Sequence, residues 1–283
     1  MLWALNVLAY LINAGVVGSS NFGALGASNA EVSDDNPTFI TPAGWAFSIW
    51  GVIFLFELIF VIWGAIPANR ESDLVLDGVG CWFAIACLLQ AGWAVVFAQE
   101  LLVVSAILLC LIAFSLSMAV ISLKKVHCEK PPTVFTIPFW TVFFPIGLHG
   151  GWTLAASLVN INVALELDDA GSELAALILS VVGAAVAAAF GSVVYVNQPY
   201  MLAIAWAIAG ISSKEGYRLE KLGEDLSDGV SQALQGLWIA LLCLGVVGVI
   251  AGVRHYNDAA SESPKRPSAR RSGGNDLSSE IYS

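Results

Sequence analysis

Residues 42–66 read PAGWAFSIWGVIFLFELIFVIWGAI, an apolar run interrupted by one charged side chain, Glu57. A bilayer core about 30 Å thick takes roughly 20 apolar residues per helical crossing, so this run is long enough to span a membrane and too apolar to face water. Similar runs flank it on both sides. Counted against the same length, the chain offers helical crossings at 2–18, 42–66, 79–98, 101–123, 134–162, 173–196, 199–213 and 230–253. The composition agrees: of 283 residues 58% are hydrophobic and 12% charged, against roughly a quarter charged in a soluble domain. The fold class is therefore all-α, a polytopic membrane helical bundle with the lipid bilayer as its first partner. The shortest run, 199–213, is expected to be either a full crossing or a partial, re-entrant helix.

Basic residues orient the bundle, because Lys and Arg collect on the cytoplasmic side. With eight crossings one side receives Arg70, Lys124, Lys125, Lys130, Arg254, Lys265, Arg266, Arg270 and Arg271, which is most of the 12 basic residues in the chain. The other side receives Lys214, Arg218 and Lys221 among Glu215, Glu220, Glu224 and Asp225. Both termini are accordingly expected in the cytoplasm. Residues 254–283, rich in Ser, Arg and Gly, hold too little apolar surface to fold and are expected to form a disordered basic tail. The net charge of -10 lies in solvated loops and tail, and no nucleic-acid partner is expected. Cys81, Cys87, Cys110, Cys128 and Cys243 form no disulfide framework and no metal-ligand spacing.

No paired-carboxylate site, HExxH, GxSxG or phosphate-cradling loop occurs, so neither catalytic nor metal-binding residues are expected and the chain is not read as an enzyme. What remains is aromatic: ten tryptophans. Trp3, Trp63 and Trp140 sit near segment ends, where Trp anchors at the interface. Trp50, Phe54 and Glu57 recur at spacings of four and three on one helical face. A carboxylate at that depth is either functional or protonated and hydrogen-bonded as inter-helix glue. Gln90, Trp93 and Phe97 form a second stripe, with Gln90 needing a hydrogen-bond partner that lipid cannot supply. Pro145, His149, Trp152, Ala156 and Asn160 form a third, which should look inward. His149 ahead of Gly150 and Gly151 fits a pocket-lining histidine, a packing histidine, or an axial ligand to a metallated tetrapyrrole approached across the glycines.

Taken together, these stripes resemble a known family, the tryptophan-rich sensory proteins (TspO/MBR) related to the translocator protein and the peripheral benzodiazepine receptor. PAGWAFSIWGVIF at 42–54 resembles the family's proline and tryptophan signature, with Phe54 where a Tyr is usual; Gln90-Ala-Gly-Trp93 resembles its Asn-x-x-Trp; Trp152, Ala156 and Asn160 match its Trp, Ala and Asn at offsets of zero, four and eight. The resemblance covers about residues 1–165 and implies a five-helix TspO-like core with an internal pocket for a porphyrin or other tetrapyrrole, a sterol or a related planar hydrophobic ligand. Residues 166–253 would add about three transmembrane helices. The ligand-binding residues expected are Trp50, Phe54, Glu57, Gln90, Trp93, His149, Trp152, Ala156 and Asn160. The role is sensing or transport. Two other roles remain open: a proton-coupled secondary transporter working through Glu57 and His149, and a helical subunit of a larger membrane complex. A homodimer is a candidate assembly.

Overall fold

The computed structural model describes residues 1–126, 133–193 and 198–262. Cys128, Lys130, the end of the expected run 173–196 and the basic tail from residue 263 lie outside the described residues. Among the described residues every regular element is helical. Helices α1 (Leu2–Asn21), α3 (Ile49–Ala65), α4 (Trp82–Ala98), α5 (Leu102–Val126), α6 (Phe144–Leu165), α7 (Ala170–Val193), α8 (Gln198–Ser212) and α10 (Glu224–Glu262) correspond to the eight apolar runs. Two short helices, α2 (Asn29–Asp35) and α9 (Gly216–Leu222), lie in polar loops where no element is expected from apolar length. A 3-10 turn, Gly44–Ser48, leads into α3, and π-helical turns, Leu74–Val79 and Phe139–Phe143, precede α4 and α6.

Six spans are long and apolar enough to cross a bilayer: Leu2–Ser20, Gly44–Ala65, Leu102–Val126, Phe139–Leu165, Ala170–Ala189 and Glu224–Ala251. The other two are short. Helix α4 has 17 residues, a rise of about 25 Å, and α8 has 15, a rise of about 22 Å. Burial explains how α8 can be short. Eleven of its residues are buried, between α6, α7 and α10, so its ends meet protein rather than lipid and need not match the hydrocarbon thickness. Its Gln198 end lies against Gly248 of α10 and its Gly210 end against Pro42 and Ala46. Helix α10 continues past residue 253 to Glu262, so the expected tail begins as helix.

The surface is inverted relative to a soluble protein. Val103, Ile107 and Phe114 of α5, Leu179 and Val186 of α7, and Val246 and Val247 of α10 are exposed, whereas Glu57, Gln90 and His149 are buried. Helix α6 is the hub, buried along most of its length, whereas α10 is largely exposed. Gly150 and Gly151 let α8 into contact with it. A Cβ on Gly151 would stand 2.1 Å from the carbonyl oxygen of Tyr200, and one on Gly150 would stand 3.2 Å from the Tyr200 ring. The space beside Gly150 and Gly151 is thus filled by α8.

One end of the bundle gathers the loops before α3, between α4 and α5, between α6 and α7, and after α8. Lys214 pairs with Asp34, Gln99 Nε2 donates to Leu25 O at 3.1 Å, and Arg218 donates to Phe39 O at 2.9 Å. At the other end the Arg70 guanidinium lies 4.5 Å over the Trp3 ring.

Candidate functional site: an aromatic cavity over a buried ion pair

The inward face of α3 follows the helical repeat through Trp50, Ile53, Glu57, Phe60 and Gly64. Helix α4 turns in Phe83, Cys87, Gln90, Trp93 and Phe97, and α6 turns in His149, Trp152 and Asn160. These three faces meet. Trp50 is the centre: its ring lies 6.2 Å from Trp93, 6.0 Å from Trp152, 5.7 Å from His149 and 6.1 Å from Phe54. Trp93 stacks on Phe97 at 5.1 Å, and Phe47 meets Trp152 edge-on at 6.1 Å. Edge-to-face and offset contacts of this kind each add about 0.5–1.5 kcal/mol to the burial of the rings.

These rings wall a small cavity of about 40 Å³, which Trp50, Trp93, Phe97, Trp152, Ala156 and Asn160 share with Ser33, Pro42 and Phe47. Ala207 and Ile211 of α8 complete it. The indole N–H groups of Trp50, Trp93 and Trp152 are buried and have no acceptor among the described residues. Asn160 is engaged by the Ser105 hydroxyl, which donates to its side-chain oxygen.

The expected site residues therefore divide. Trp50, Trp93, Trp152, Ala156 and Asn160 line the cavity, whereas Phe54, Glu57, Gln90 and His149 lie beside it. Phe54 packs on Trp50, and its carbonyl accepts the Tyr10 hydroxyl at 3.0 Å. Glu57 Oε1 and His149 Nδ1 lie 2.6 Å apart, both side chains fully buried, while Glu57 Oε2 and His149 Nε2 have no partner among the described residues. Gln90 Oε1 accepts from Asn13 Nδ2 at 2.6 Å. No group of three or more His, Cys, Asp or Glu side chains that could hold a metal occurs among the described residues.

Reading the sequence from its tryptophans passes over α1. Asn6, Asn13 and Ser20 recur every seven residues on its buried face, and polar groups inside an apolar run were the signal that this face looks inward. It also passes over α8, whose Trp206 Nε1–H donates to Ala46 O at 2.9 Å while the Ala43 N–H donates to Gly210 O at 3.0 Å. Together these bonds close the mouth of the cavity with the segment ahead of α3.

Comparison with curated proteins and with solved structures finds no match. The family of TSPO-like proteins is matched over residues 3–253, a stretch that takes in α1 to α9 and most of α10. An all-helical chain with six apolar spans and an inward cluster of tryptophans, matched over nearly its whole described length, is an integral membrane protein and belongs to the TSPO-like protein family.

Proposed function

We propose that the protein binds a planar hydrophobic molecule carrying hydrogen-bond acceptors, a porphyrin or other tetrapyrrole or a sterol, between α3, α4, α6 and α8, for sensing or transport. The observation that carries this reading is that Trp50, Trp93 and Trp152, which line one cavity, each hold a buried indole N–H without an acceptor among the described residues. A buried donor left without an acceptor costs about 1–3 kcal/mol, and no lipid chain can relieve it. A ligand that offers carboxylate, keto or hydroxyl oxygens to those donors and a flat face to the rings does both. At about 40 Å³ the cavity has room for water rather than for a macrocycle, so ligand entry requires α8 and the Pro42 segment to move off the rings.

Titration of the purified protein with a porphyrin, and separately with a sterol, followed by quenching of intrinsic Trp fluorescence, tests this. Saturable quenching by one of them, weakened in Trp152→Ala, is the expected result. Absence of saturation with either, or identical curves for Trp152→Ala, overturns it.

A second reading rests on a different observation, the fully buried Glu57–His149 pair with one free atom on each side chain. Such a pair suits uptake and release of a proton in a coupled transporter. Substrate uptake driven by a pH gradient and abolished by Glu57→Gln would favour it, and uptake indifferent to the gradient would remove it.

A further inference from the structure

Where α6 gives way to α7, a second cavity of about 140 Å³ lies between Asn36, Thr38, Asn162, Glu166 and Glu173. Its amides present oxygen rather than nitrogen. Asn162 Nδ2 donates to Leu158 O at 2.8 Å and to Ser180 Oγ at 3.0 Å, and Asn36 Nδ2 donates to Val32 O at 3.0 Å. With those donors committed elsewhere, the two side-chain oxygens are left for the cavity. Glu173 is 5% exposed. Its Oε1 accepts from the Tyr217 hydroxyl at 2.9 Å, and its Oε2 is buried without a partner among the described residues. Glu166 adds a second carboxylate from the left-handed turn that ends α6, at φ 47°.

A cavity lined by acceptors, two of them carboxylates, with a buried unpartnered oxygen on Glu173 suits a cation. We propose that it binds one hydrated divalent cation, of the calcium class, held by Glu173, Glu166, Asn162 and Asn36. Two carboxylates balance a double charge. Calcium accepts mixed carboxylate and amide oxygens in irregular geometry, whereas magnesium demands a near-ideal octahedron. The volume beyond the ion suits several waters at about 30 Å³ each, and no aromatic ring lines the cavity to face an organic ammonium. The surrounding field favours the same charge: Tyr217 is pushed up to about 12 by burial, by its bond to Glu173, and by the further negative charges of Glu220 and Asp168. A bound ion would tie the end of α2 to α6 and α7, in the segment that runs on to Pro42 at the rim of the aromatic cavity.

Full-length protein in non-ionic detergent, stripped with chelator, is titrated with terbium and the luminescence displaced with calcium or magnesium. One saturable site per chain is expected, with calcium affinity on the order of 0.1–1 mM and weaker displacement by magnesium. Glu166→Gln, an exposed position, is expected to weaken calcium roughly tenfold, and Glu173→Gln to remove the site. Asp169→Asn is the control, since that carboxylate accepts from the Ser172 N–H at 2.8 Å outside the cavity. Lack of saturable binding, binding unchanged in Glu166→Gln, or an equal fall in Asp169→Asn, which would mark diffuse surface charge, each overturns the proposal. Should Glu173→Gln fail to fold, Glu166→Gln decides alone. The aromatic cavity is not involved, so a failed porphyrin or sterol titration leaves this outcome independent.

Discussion

Glu57 and His149 meet at 2.6 Å with no exposed surface, and removing either partner leaves the other desolvated and alone. Glu57→Met or His149→Phe alone is therefore expected to cost about 3–5 kcal/mol, while the two combined cost much less than the sum. Reversible unfolding in mixed micelles, run as a double-mutant cycle, checks this, and additive losses would count against the pair. Trp152→Phe separates ring from donor. It keeps an aromatic body and deletes an N–H that lacks an acceptor, so thermal stability without ligand should hold or rise while porphyrin or sterol affinity falls. A ligand affinity equal to that of the unsubstituted protein would show that the indole donors are idle. Which residues look inward was legible beforehand for α3, α4 and α6, because polar and aromatic side chains recur there every three or four positions. Their partners were not: 92 positions separate Glu57 from His149 and 77 separate Asn13 from Gln90, and periodicity carries no information across such distances.

Helix α2 shows how a short element forms in a loop. The Ser28 hydroxyl accepts from the Glu31 N–H and the Glu31 carboxylate accepts from the Ser28 N–H, a reciprocal cap. That S-x-x-E spacing was readable, but a search by apolar length passes over it. The bond from the Ser28 backbone, and then that to its hydroxyl, holds the Glu31 carboxyl below its ordinary range. Its contribution is complete above the unfolded value of about 4.3 and fades as pH falls through the lower folded value. Thermal unfolding followed from pH 6 downward should show a component lost in Glu31→Gln; an unchanged pH profile would mean the cap contributes nothing. Helix α8 shows the opposite limit of legibility. Its 15 residues suggested a partial crossing by length alone, yet the slot at Gly151, where a Cβ would stand 2.1 Å from Tyr200 O, packs it fully into the bundle. Gly151→Ala must push α8 away and is expected to destabilise by several kcal/mol, on the order of the 1–3 kcal/mol typical of overpacking or more. Retained stability in the same unfolding assay would mean that the helices separate there at little cost.

At the scale of the molecule, eight long apolar helices would return the chain to the side on which it began if each crosses the bilayer. The concentration of basic residues at one set of helix ends leads to the expectation that both termini lie in the cytoplasm. Reporters fused to the N-terminus and after α10 should both read cytoplasmic, and opposite readings would mean that one helix does not traverse. Membrane character and the eight long apolar helices could be read from apolar length. The shared wall could not, since Ala207 and Ile211 close a cavity otherwise built by helices that precede residue 165. This has a consequence in time. As the chain leaves the ribosome from its N-terminus, α3, α4 and α6 are inserted while the glycine slot on α6 stands empty and the Ala43 N–H and Ala46 carbonyl await Gly210 and Trp206. The cavity thus acquires its last wall only after Ile211 has been synthesised, and a nascent chain stalled before α8 would hold every tryptophan of the Trp50, Trp93 and Trp152 cluster yet lack the side that Ala207 and Ile211 supply.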